Sequence, residues 1–358
     1  MSGHAPPDVV CLGESMVTFL PSRPGRLADV PSFARAIGGA ESNVACALAA
    51  AGHRVKWVGR VGRDGFGHHL VETIGAHGVD VTSVTRDPHR PTGVYFRTDD
   101  DRATDAHEVV YYRAGSAASA MSPTTVPYDS VAGARVLHLT GITAALSEDC
   151  LALMRELTAP RPGRPLVSFD VNHRPGLWRD GSAPEVLLEL ARRADLVLVG
   201  ADEAKTLWGL RDPAAIRGVL PEPAVLVVKR GGEGAVAFER GGTPSGAECR
   251  PDTVTSVPAP RVDVVAPVGA GDAFAAGFLS ATLRGLDTDT RLRHGHLMAA
   301  AALTVPGDVA APPRRAHADR LAALDAGAWG TLHLGPGWTG DDQEGPYRTG
   351  DDQEVRTP

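Results

Sequence analysis

The segment Val268–Phe274 places one carboxylate directly behind a run of very small residues. Gly269, Ala270 and Gly271 carry almost no side chain, so their backbone N–H groups stay uncovered. Uncovered N–H groups at the start of a helix attract anions, because the helix dipole and the free donors act together. Asp272 follows at once and could accept a proton beside an anion held there. This spacing suits acid–base chemistry next to a charged group.

The helix that follows, predicted over Ala270–Arg284, is small and apolar on every side. A helix of that kind must be buried. An extended run, Val262–Val265, precedes it, so the predicted order is strand, tight turn and buried helix. Taken alone, the pattern equally fits an Asp272 that only caps a buried helix. The other candidate residues have to decide between these interpretations.

Two arginines and two tyrosines stand where a fold could gather them around one small molecule. Arg174 comes soon after the predicted strand Leu166–Phe169, and residues beyond the carboxyl ends of parallel strands line a ligand crevice. Tyr111 and Arg113 are two residues apart in a predicted strand, so they share one of its faces. Tyr95 lies on the strand predicted to pair with that one. We therefore expect the four side chains to converge.

Spacing leaves the role of these arginines open. A guanidinium fork suits a carboxylate, so Arg113 and Arg174 could bind an acidic substrate, and a neutral hexose would not need both. Alternatively, each arginine pairs with a protein acid such as Asp170 or Glu41.

Short apolar runs alternate with helical segments along most of the chain. The predicted strands are Val9–Leu12, Val55–Val58, Val136–Leu139, Leu166–Phe169, Leu196–Val199 and Val225–Val228. The predicted helices are Ser42–Ala51, opened by Ser42 as its cap, Gly67–His77, Glu148–Leu157, Ala183–Arg193 and Glu203–Leu207. Continuous apolar strands separated by helices predict an α/β fold, doubly wound, with a mostly parallel sheet flanked by helices.

Two segments break this rhythm. Thr92–Thr98 and Glu108–Arg113 alternate apolar and polar residues and are joined by the polar loop Asp99–His107. Alternation with period two predicts an antiparallel hairpin with one solvated face. We expect this hairpin to project from the main sheet as part of a small β-sheet lid.

Composition limits the classes of protein to which the chain can belong. It has 358 residues, 43% hydrophobic and 22% charged, with a net charge of −7. A nucleic-acid partner is not expected, since such proteins usually carry a basic surface. No signal peptide or membrane-spanning run is visible, which predicts a cytoplasmic protein with no membrane partner. The four cysteines are far apart and without metal spacing, so we expect reduced thiols.

The carboxyl-terminal segment has a different character. Residues 335–358 contain the sequence TGDDQE twice, at Thr339–Glu344 and Thr349–Glu354, with six acids against two arginines. Such a segment can bury little apolar surface. It predicts a disordered acidic tail after a single domain over residues 1–334.

Three motifs together resemble the ribokinase-like (pfkB) carbohydrate kinases. They are VGAGDAFAAGF (Val268–Phe278), GGAESNVACALAAAG (Gly38–Gly52) and GRVGRDGFG (Gly59–Gly67). The resemblance runs from about Val9 to Leu324. Within that family the chain is most similar to the 2-keto-3-deoxygluconate kinases (2-dehydro-3-deoxygluconokinases), through TGVYFRT (Thr92–Thr98), YYRAGSAASAMSP (Tyr111–Pro123), LTGITAALS (Leu139–Ser147) and DVNHRPGLW (Asp170–Trp178).

This resemblance implies a reaction and a set of site residues. ATP, bound with Mg²⁺, would phosphorylate the terminal hydroxyl of 2-keto-3-deoxygluconate, giving 2-keto-3-deoxy-6-phosphogluconate and ADP. Asp272 would be the general base, and the N–H groups around Gly269, Ala270 and Gly271 would hold the transferring phosphoryl group. The implied sugar-acid residues are Gly39, Asn43, Tyr95, Tyr111, Arg113 and Arg174. The implied ATP residues are Lys229, Gly231, Gly234, Gly269 and Gly271, and residues 13–37 and 92–115 would form the lid.

Two positions depart from the family pattern. Gly200–Glu203 stands where many members have Asn-x-x-Glu, so only Glu203 remains for an indirect, water-mediated role at magnesium. Ala266 replaces an aspartate that helps form a monovalent-cation site in some relatives, which puts potassium activation in doubt.

Two other functions compete with this prediction. The first is a kinase for a neutral sugar such as fructose or ribose, against which the two arginines argue. The second is a non-catalytic sugar-binding sensor, against which Asp272 and its anion site argue. We also expect a homo-oligomer, because an exposed lid face often pairs subunits.

Overall fold

The computed structural model describes residues 6–23, 25–98, 108–241, 251–307, 310–340 and 347–348. Its strands are β1 (Val9–Leu12), β2 (Met16–Pro21), β3 (Phe33–Gly38), β4 (Val55–Val58), β5 (Arg60–Gly62), β6 (Thr85–Asp87), β7 (Val94–Arg97), β8 (Val109–Tyr112), β9 (Val136–Thr140), β10 (Leu166–Asp170), β11 (Leu196–Gly200), β12 (Val225–Lys229), β13 (Ala235–Glu239), β14 (Thr253–Val257), β15 (Arg261–Val262), β16 (His333–Leu334) and β17 (Tyr347–Arg348).

The helices of the same residues surround and connect these strands. They are α1 (Ala40–Ala50), α2 (Gly65–Ala76), α3 (Gly141–Ala144), α4 (Glu148–Thr158), α5 (Ala183–Arg193), α6 (Ala201–Trp208), α7 (Pro213–Val219), α8 (Ala270–Leu283), α9 (Thr288–Leu303), α10 (Arg315–Ala322) and α11 (Ala326–Thr331).

One eight-stranded sheet carries the fold, in the order β14-β13-β12-β11-β10-β9-β1-β4. The pairs from β12 through β4 are parallel, and β13 and β14 add an antiparallel edge. Two apolar clusters, one on each face, bury the sheet, with α1, α8 and α9 in one and α4 and α5 in the other. This confirms the doubly wound, mostly parallel α/β prediction.

The six strands predicted for the main sheet agree with the structure to within one residue. The strand predicted over Val262–Val265 was wrong, because only Arg261–Val262 pairs there, and the start of α1 was also predicted wrongly. The helix begins at Ala40, with Gly39 as its N-cap and no side-chain cap. Ser42 lies inside the helix, buried, where its hydroxyl donates to the Ser15 hydroxyl over 2.9 Å. A Cβ on Gly39 would lie 2.5 Å from the Glu14 carbonyl oxygen, so this tight junction requires glycine.

A separate four-stranded sheet, β3-β2-β7-β8, stands beside the main sheet. The β7–β8 pair is the predicted antiparallel hairpin, and β2 and β3 come from the other predicted lid segment. Its outer face is partly apolar, with Val110 and Tyr112 exposed. The hairpin loop Asp99–His107 lies outside the described residues. We refer to this four-stranded sheet as the lid sheet.

The boundary predicted at residue 335 comes too early. Trp338 is 1% exposed and packs in the same cluster as α10 and α11, and Tyr347–Arg348 pairs with β16. The sequence does not indicate this burial, because the residues next to Trp338 are polar and its packing partners come from distant elements. The rest of the predicted tail lies outside the described residues.

Two further features follow from the described residues. None of their helices is both long and apolar enough to span a membrane. Cys11, Cys46 and Cys150 are buried and unpaired, as predicted, whereas Cys249 lies outside the described part of the chain.

We predict that Trp338→Ala lowers the free energy of unfolding by about 3–5 kcal/mol, since it empties a large buried volume. Chemical denaturation followed by circular dichroism measures this. Tyr112→Ala is the matched control, because Tyr112 is 64% exposed. It should lower the free energy of unfolding by less than about 1 kcal/mol. Equal, small costs for both variants would contradict the packing of residues 335–340.

Candidate active site

Helix α8 begins with the segment that the sequence singles out. Gly269 is its N-cap, with φ of 75°, in the left-handed region that favours glycine. The first N–H groups of a helix have no acceptor within it, so those of Ala270, Gly271 and Asp272 are available to an anion. From Phe274 onward the helix is largely buried, as predicted.

Two asparagines hold the carboxylate of Asp272. The side-chain amide of Asn43 donates to Oδ2 over 2.9 Å, and that of Asn172 donates to Oδ1 over 3.4 Å. Burial raises the pKa of Asp272 to about 6, while the hydrogen bond from Asn43 opposes the increase. Such a group is ionised at neutral pH and can still take a proton.

Asn43 therefore positions Asp272, a contact that the sequence did not suggest. Its own side-chain oxygen is buried without a hydrogen-bond partner among the described residues, and Asn43 also lines the sugar-sized cavity described below. The predicted contact with a sugar stays a prediction. Asn172 escaped prediction, although it lies within the Asp170–Arg174 segment, and its φ of 39° marks an unusual backbone.

Helix α1 is fixed to the main sheet by a buried acid. Oε1 of Glu41 accepts hydrogen bonds from the hydroxyls of Thr140 and Thr143, each over 2.8 Å. Burial raises the pKa of Glu41 to about 7. These bonds tie α1 to the end of β9 and the start of α3, which fixes the helix that carries Asn43.

A second group of charges lies where β10, β11 and β12 end. Nζ of Lys229 donates to Oδ2 of Asp170 over 2.7 Å. Both oxygens of Glu203 accept backbone N–H groups, from His173 over 2.9 Å and from Gly200 over 2.8 Å. Burial opposes the charge of Lys229, but Asp170 and Glu203 outweigh it and raise its pKa. Burial also raises the pKa of Glu203.

Two neighbouring cavities meet at the start of α8. The polar one, of about 810 Å³, contains Lys229, Glu203 and the first turn of α8 among its lining residues. The other, of about 630 Å³, is lined mostly by apolar residues, including Val264 and Leu303, and also by Gly231 and Gly234. The predicted ATP residues all lie on one cavity or both, namely Lys229, Gly231, Gly234, Gly269 and Gly271.

A smaller cavity, of about 160 Å³, lies between the lid sheet and Asp272. All six predicted sugar-acid residues line it: Gly39, Asn43, Tyr95, Tyr111, Arg113 and Arg174. The rings of Tyr95 and Tyr111 lie 5.4 Å apart. The structure thus brings together residues that are far apart in the sequence. We call this space the sugar cavity.

The two arginines of the sugar cavity have different surroundings. Nη2 of Arg113 donates to Oε2 of Glu14, a buried acid that no sequence pattern indicates. Arg174 donates only to the carbonyl oxygen of His173, over 3.1 Å, and makes no ion pair with another described residue. Of the two acids proposed as partners, Asp170 pairs with Lys229 instead.

Other residues of the sugar cavity were also missed. Arg97, Val109 and Ile142 line it together with Glu14. Arg97 could have been found from the hairpin alternation, because it lies two residues after Tyr95 and so shares its face. Glu14 gives no local signal, because its partner Arg113 is far along the chain.

The fold places a small polar cavity and a larger cavity suited to an anion on either side of the Asp272 carboxylate, as an enzyme that transfers a group between two ligands requires. The pfkB family carbohydrate kinase model matches residues 6–315, and the chain belongs to that family. It is therefore a sugar kinase of the ribokinase-like fold.

Individual relatives agree with this assignment. A 2-dehydro-3-deoxygluconokinase of Bacillus subtilis (strain 168) is 35% identical over 86% of this chain and 93% of its own length. A 2-dehydro-3-deoxygluconokinase of Thermoproteus tenax is 34% identical over 87% of this chain and 93% of its own length. A probable chloroplastic fructokinase of Arabidopsis thaliana is 32% identical over 84% of this chain and 77% of its own length.

Solved structures are similar as well. A PfkB protein from Polaromonas sp. JS666 superimposes with a TM-score of 0.75 at 34% identity, covering 89% of this chain and all of that one. A sugar kinase from Pyrococcus horikoshii, solved in complex with ATP, superimposes with a TM-score of 0.74 at 25% identity, covering 89% of this chain and 98% of that one.

We predict that Asn43→Ala moves the acidic limb of the kcat/KM profile to higher pH by about one unit. As the predicted base, Asp272 would act only when ionised, so the rate would fall as pH drops through about 6. The Asn43 bond favours the ionised form, and a hydrogen bond to a charged group is worth ~1.5–3 kcal/mol, or roughly one to two pKa units.

Rates of ADP release from pH 5 to 9 measure this shift. Ser42→Ala is the control, because Ser42 is the adjacent residue on α1 and bonds to Ser15 rather than to Asp272. An acidic limb that stays in place in Asn43→Ala would contradict the pairing.

Proposed function

We propose that this kinase transfers the γ-phosphoryl group of ATP to the terminal hydroxyl of 2-keto-3-deoxygluconate or a close sugar acid. The products would be 2-keto-3-deoxy-6-phosphogluconate and ADP. One observation carries the proposal: Arg174, a guanidinium without an ion pair among the described residues, shares the sugar cavity with Asp272. An unpaired cation in a small polar cavity favours an anionic ligand.

Asp272 would take the proton of the terminal hydroxyl as that oxygen attacks the γ-phosphorus. A new P–O bond would form while the bond to the β-phosphate oxygen breaks, and ADP would leave. The uncovered N–H groups of Ala270, Gly271 and Asp272 would hold the charge on the transferring group. Phosphoryl transfer depends mainly on positioning and charge stabilisation of this kind.

The two larger cavities suit a nucleotide. The apolar one, around Val264 and Leu303, would take the base, and the polar one would take the triphosphate beside Lys229. The complex of the Pyrococcus horikoshii relative with ATP supports this assignment.

Magnesium would arrive with the nucleotide. Among the described residues, no three His, Cys, Asp or Glu side chains are arranged to hold a metal ion. Magnesium keeps several waters and binds phosphates, so it does not need such a cage. Oδ1 of Asp170 is buried without a hydrogen-bond partner in the part of the chain that the structure describes, and it and Glu203 could hold magnesium-bound water. Ala266 offers no carboxylate for a potassium site.

Closure of the lid sheet over the sugar cavity would exclude water and limit wasteful hydrolysis of ATP. The exposed Tyr112 and Val110 on its outer face support the prediction of a homo-oligomer. A cytoplasmic location also stays a prediction.

A neutral-sugar kinase is the second candidate, and one specific contact favours it. Arg113 is already neutralised by Glu14, so the sugar cavity has less spare positive charge than the sequence suggested. The similarity to a fructokinase agrees with this alternative.

We predict that Arg174→Ala raises KM at least tenfold for 2-keto-3-deoxygluconate and changes KM for fructose little. The loss of one charge-assisted bond, ~1.5–3 kcal/mol, corresponds to about 10–150-fold. Steady-state kinetics with ATP–Mg²⁺ measure both values. Lys205→Ala is the control, because Lys205 lines the polar cavity but not the sugar cavity. Equal losses for both substrates would contradict the role of Arg174.

We predict that Asp272→Asn lowers kcat by ~10²–10⁴ while leaving sugar-acid affinity within about threefold, because the amide keeps the shape but cannot take the proton. Single-turnover kinetics and isothermal titration calorimetry measure the two quantities. A native protein that binds sugar acids but never releases ADP would support the sensor function instead.

A further inference from the structure

Asn172 has an unusual backbone conformation just after β10. Its φ of 39° is the one positive value among the non-glycine residues that the structure describes. The chain is fixed on both sides of it. The N–H of Val171 donates to the carbonyl oxygen of Leu198 over 3.0 Å. The N–H of His173 donates to Oε1 of Glu203 over 2.9 Å. A non-glycine residue keeps such a conformation where its surroundings determine the backbone, and these residues cluster at functional sites.

The side chain of Asn172 reaches Asp272 from this turn. Asn172 is only 6% exposed, and its Nδ2 donates to Oδ1 of Asp272 over 3.4 Å. Asn43 donates to the other oxygen, Oδ2, over 2.9 Å. Each oxygen of the carboxylate therefore has its own amide donor. Rotation of the carboxylate about its Cβ–Cγ bond would break both hydrogen bonds, so the two amides together fix that torsion.

The two amides belong to different cavities. Asn172 lines the polar cavity but not the sugar cavity, whereas Asn43 lines the sugar cavity but not the polar one. Asp272 lines both cavities. The carboxylate is thus held from each of the two spaces that it separates, and a donor from one space alone would leave its other oxygen unrestrained.

We propose that Asn172 is a positioning residue, which holds Oδ1 of Asp272 from the polar cavity while Asn43 holds Oδ2 from the sugar cavity. The pair keeps the carboxylate in the orientation that reaches the terminal hydroxyl of the sugar. Because Asn172 contacts the base and does not line the sugar cavity, its contribution belongs to kcat and not to KM for the sugar. This proposal rests on the proposed function, because it takes Asp272 as the base.

Asn172→Gly tests the positioning role. Glycine adopts positive φ freely, so the loop keeps its backbone while the amide is lost. A misplacement of about 1 Å can cost ~10²-fold in rate, so we expect kcat to fall about 10–100-fold. KM for 2-keto-3-deoxygluconate should stay close to the native value. Steady-state kinetics at saturating ATP–Mg²⁺ measure both constants. His173→Ala is the matched control and should keep the native kcat, because the contact of His173 with Glu203 is made by its backbone N–H.

Asn172→Asp tests the contact with Asp272 through charge. Aspartate also tolerates the left-handed backbone, but it places a second carboxylate against Oδ1 of Asp272. Like charges oppose ionisation, so the acidic limb of the kcat profile should move to higher pH by about one unit or more. Asn172→Gly should move the limb less, because the hydrogen bond that it removes is long. Rates of ADP release from pH 5 to 9 measure both shifts.

The other charged groups that face Asp272 are unchanged in both variants. They are Glu41 of α1, Asp170 of β10, Lys229 of β12 and Arg174, which follows β10. Asp170 raises the pKa of Asp272, whereas Arg174 and Lys229 lower it. A shift of the acidic limb in Asn172→Asp therefore reports the new charge at position 172.

Different results identify failure of this proposal and failure of the proposed function. If Asp272→Asn loses turnover but Asn172→Gly keeps the native kcat, Asn172 only shapes the loop and the proposal is wrong. An acidic limb that stays in place in Asn172→Asp would also overturn it. If Asp272→Asn keeps the native kcat, Asp272 is not the base, and the proposed function fails first.

Discussion

The position of one carboxylate at the start of a buried helix is the constraint on which the rest of the site depends. Burial raises the pKa of Asp272 to about 6, and the amide of Asn43 keeps it from rising further. A base in that range is ionised near neutral pH and still accepts a proton well. The same helix start leaves its first N–H groups free for an anion, so the carboxylate and the candidate anion site come from one short turn.

The main sheet and the lid sheet contribute different residues to the cavities around that turn. The carboxyl ends of β10 and β12 supply Asp170 and Lys229 to the polar cavity, whereas β7 and β8 supply Tyr95 and Tyr111 to the sugar cavity. Arg174 follows β10 of the main sheet, whereas Arg113 follows β8 of the lid sheet and is held by Glu14. A substrate that contacts both arginines would therefore bridge the two sheets.

Much of the fold could be predicted because each central strand is a continuous apolar run, which a sheet buried on both faces requires. The roles of residues that depend on partners far along the chain could not be predicted from the sequence. The start of α1 depends on the close approach of Gly39 to the backbone of Glu14. Trp338 lies in the same apolar cluster as α10 and α11, but the polar residues beside it in the sequence do not indicate this burial. The motif resemblance named the residues that meet in the sugar cavity, but not Glu14, which changes the charge they present.

The proposed specificity for sugar acids is tested most directly by the rate of ADP release with ATP–Mg²⁺ and a panel of acceptors, followed by phosphorus NMR of the product. The panel contains 2-keto-3-deoxygluconate, its galactonate epimer, gluconate, fructose, ribose and adenosine. We expect kcat/KM to be highest for the keto-deoxy acids and the phosphate to be found on the terminal carbon. A higher kcat/KM for fructose or ribose would contradict it, and Arg113 and Arg174 would then have structural roles.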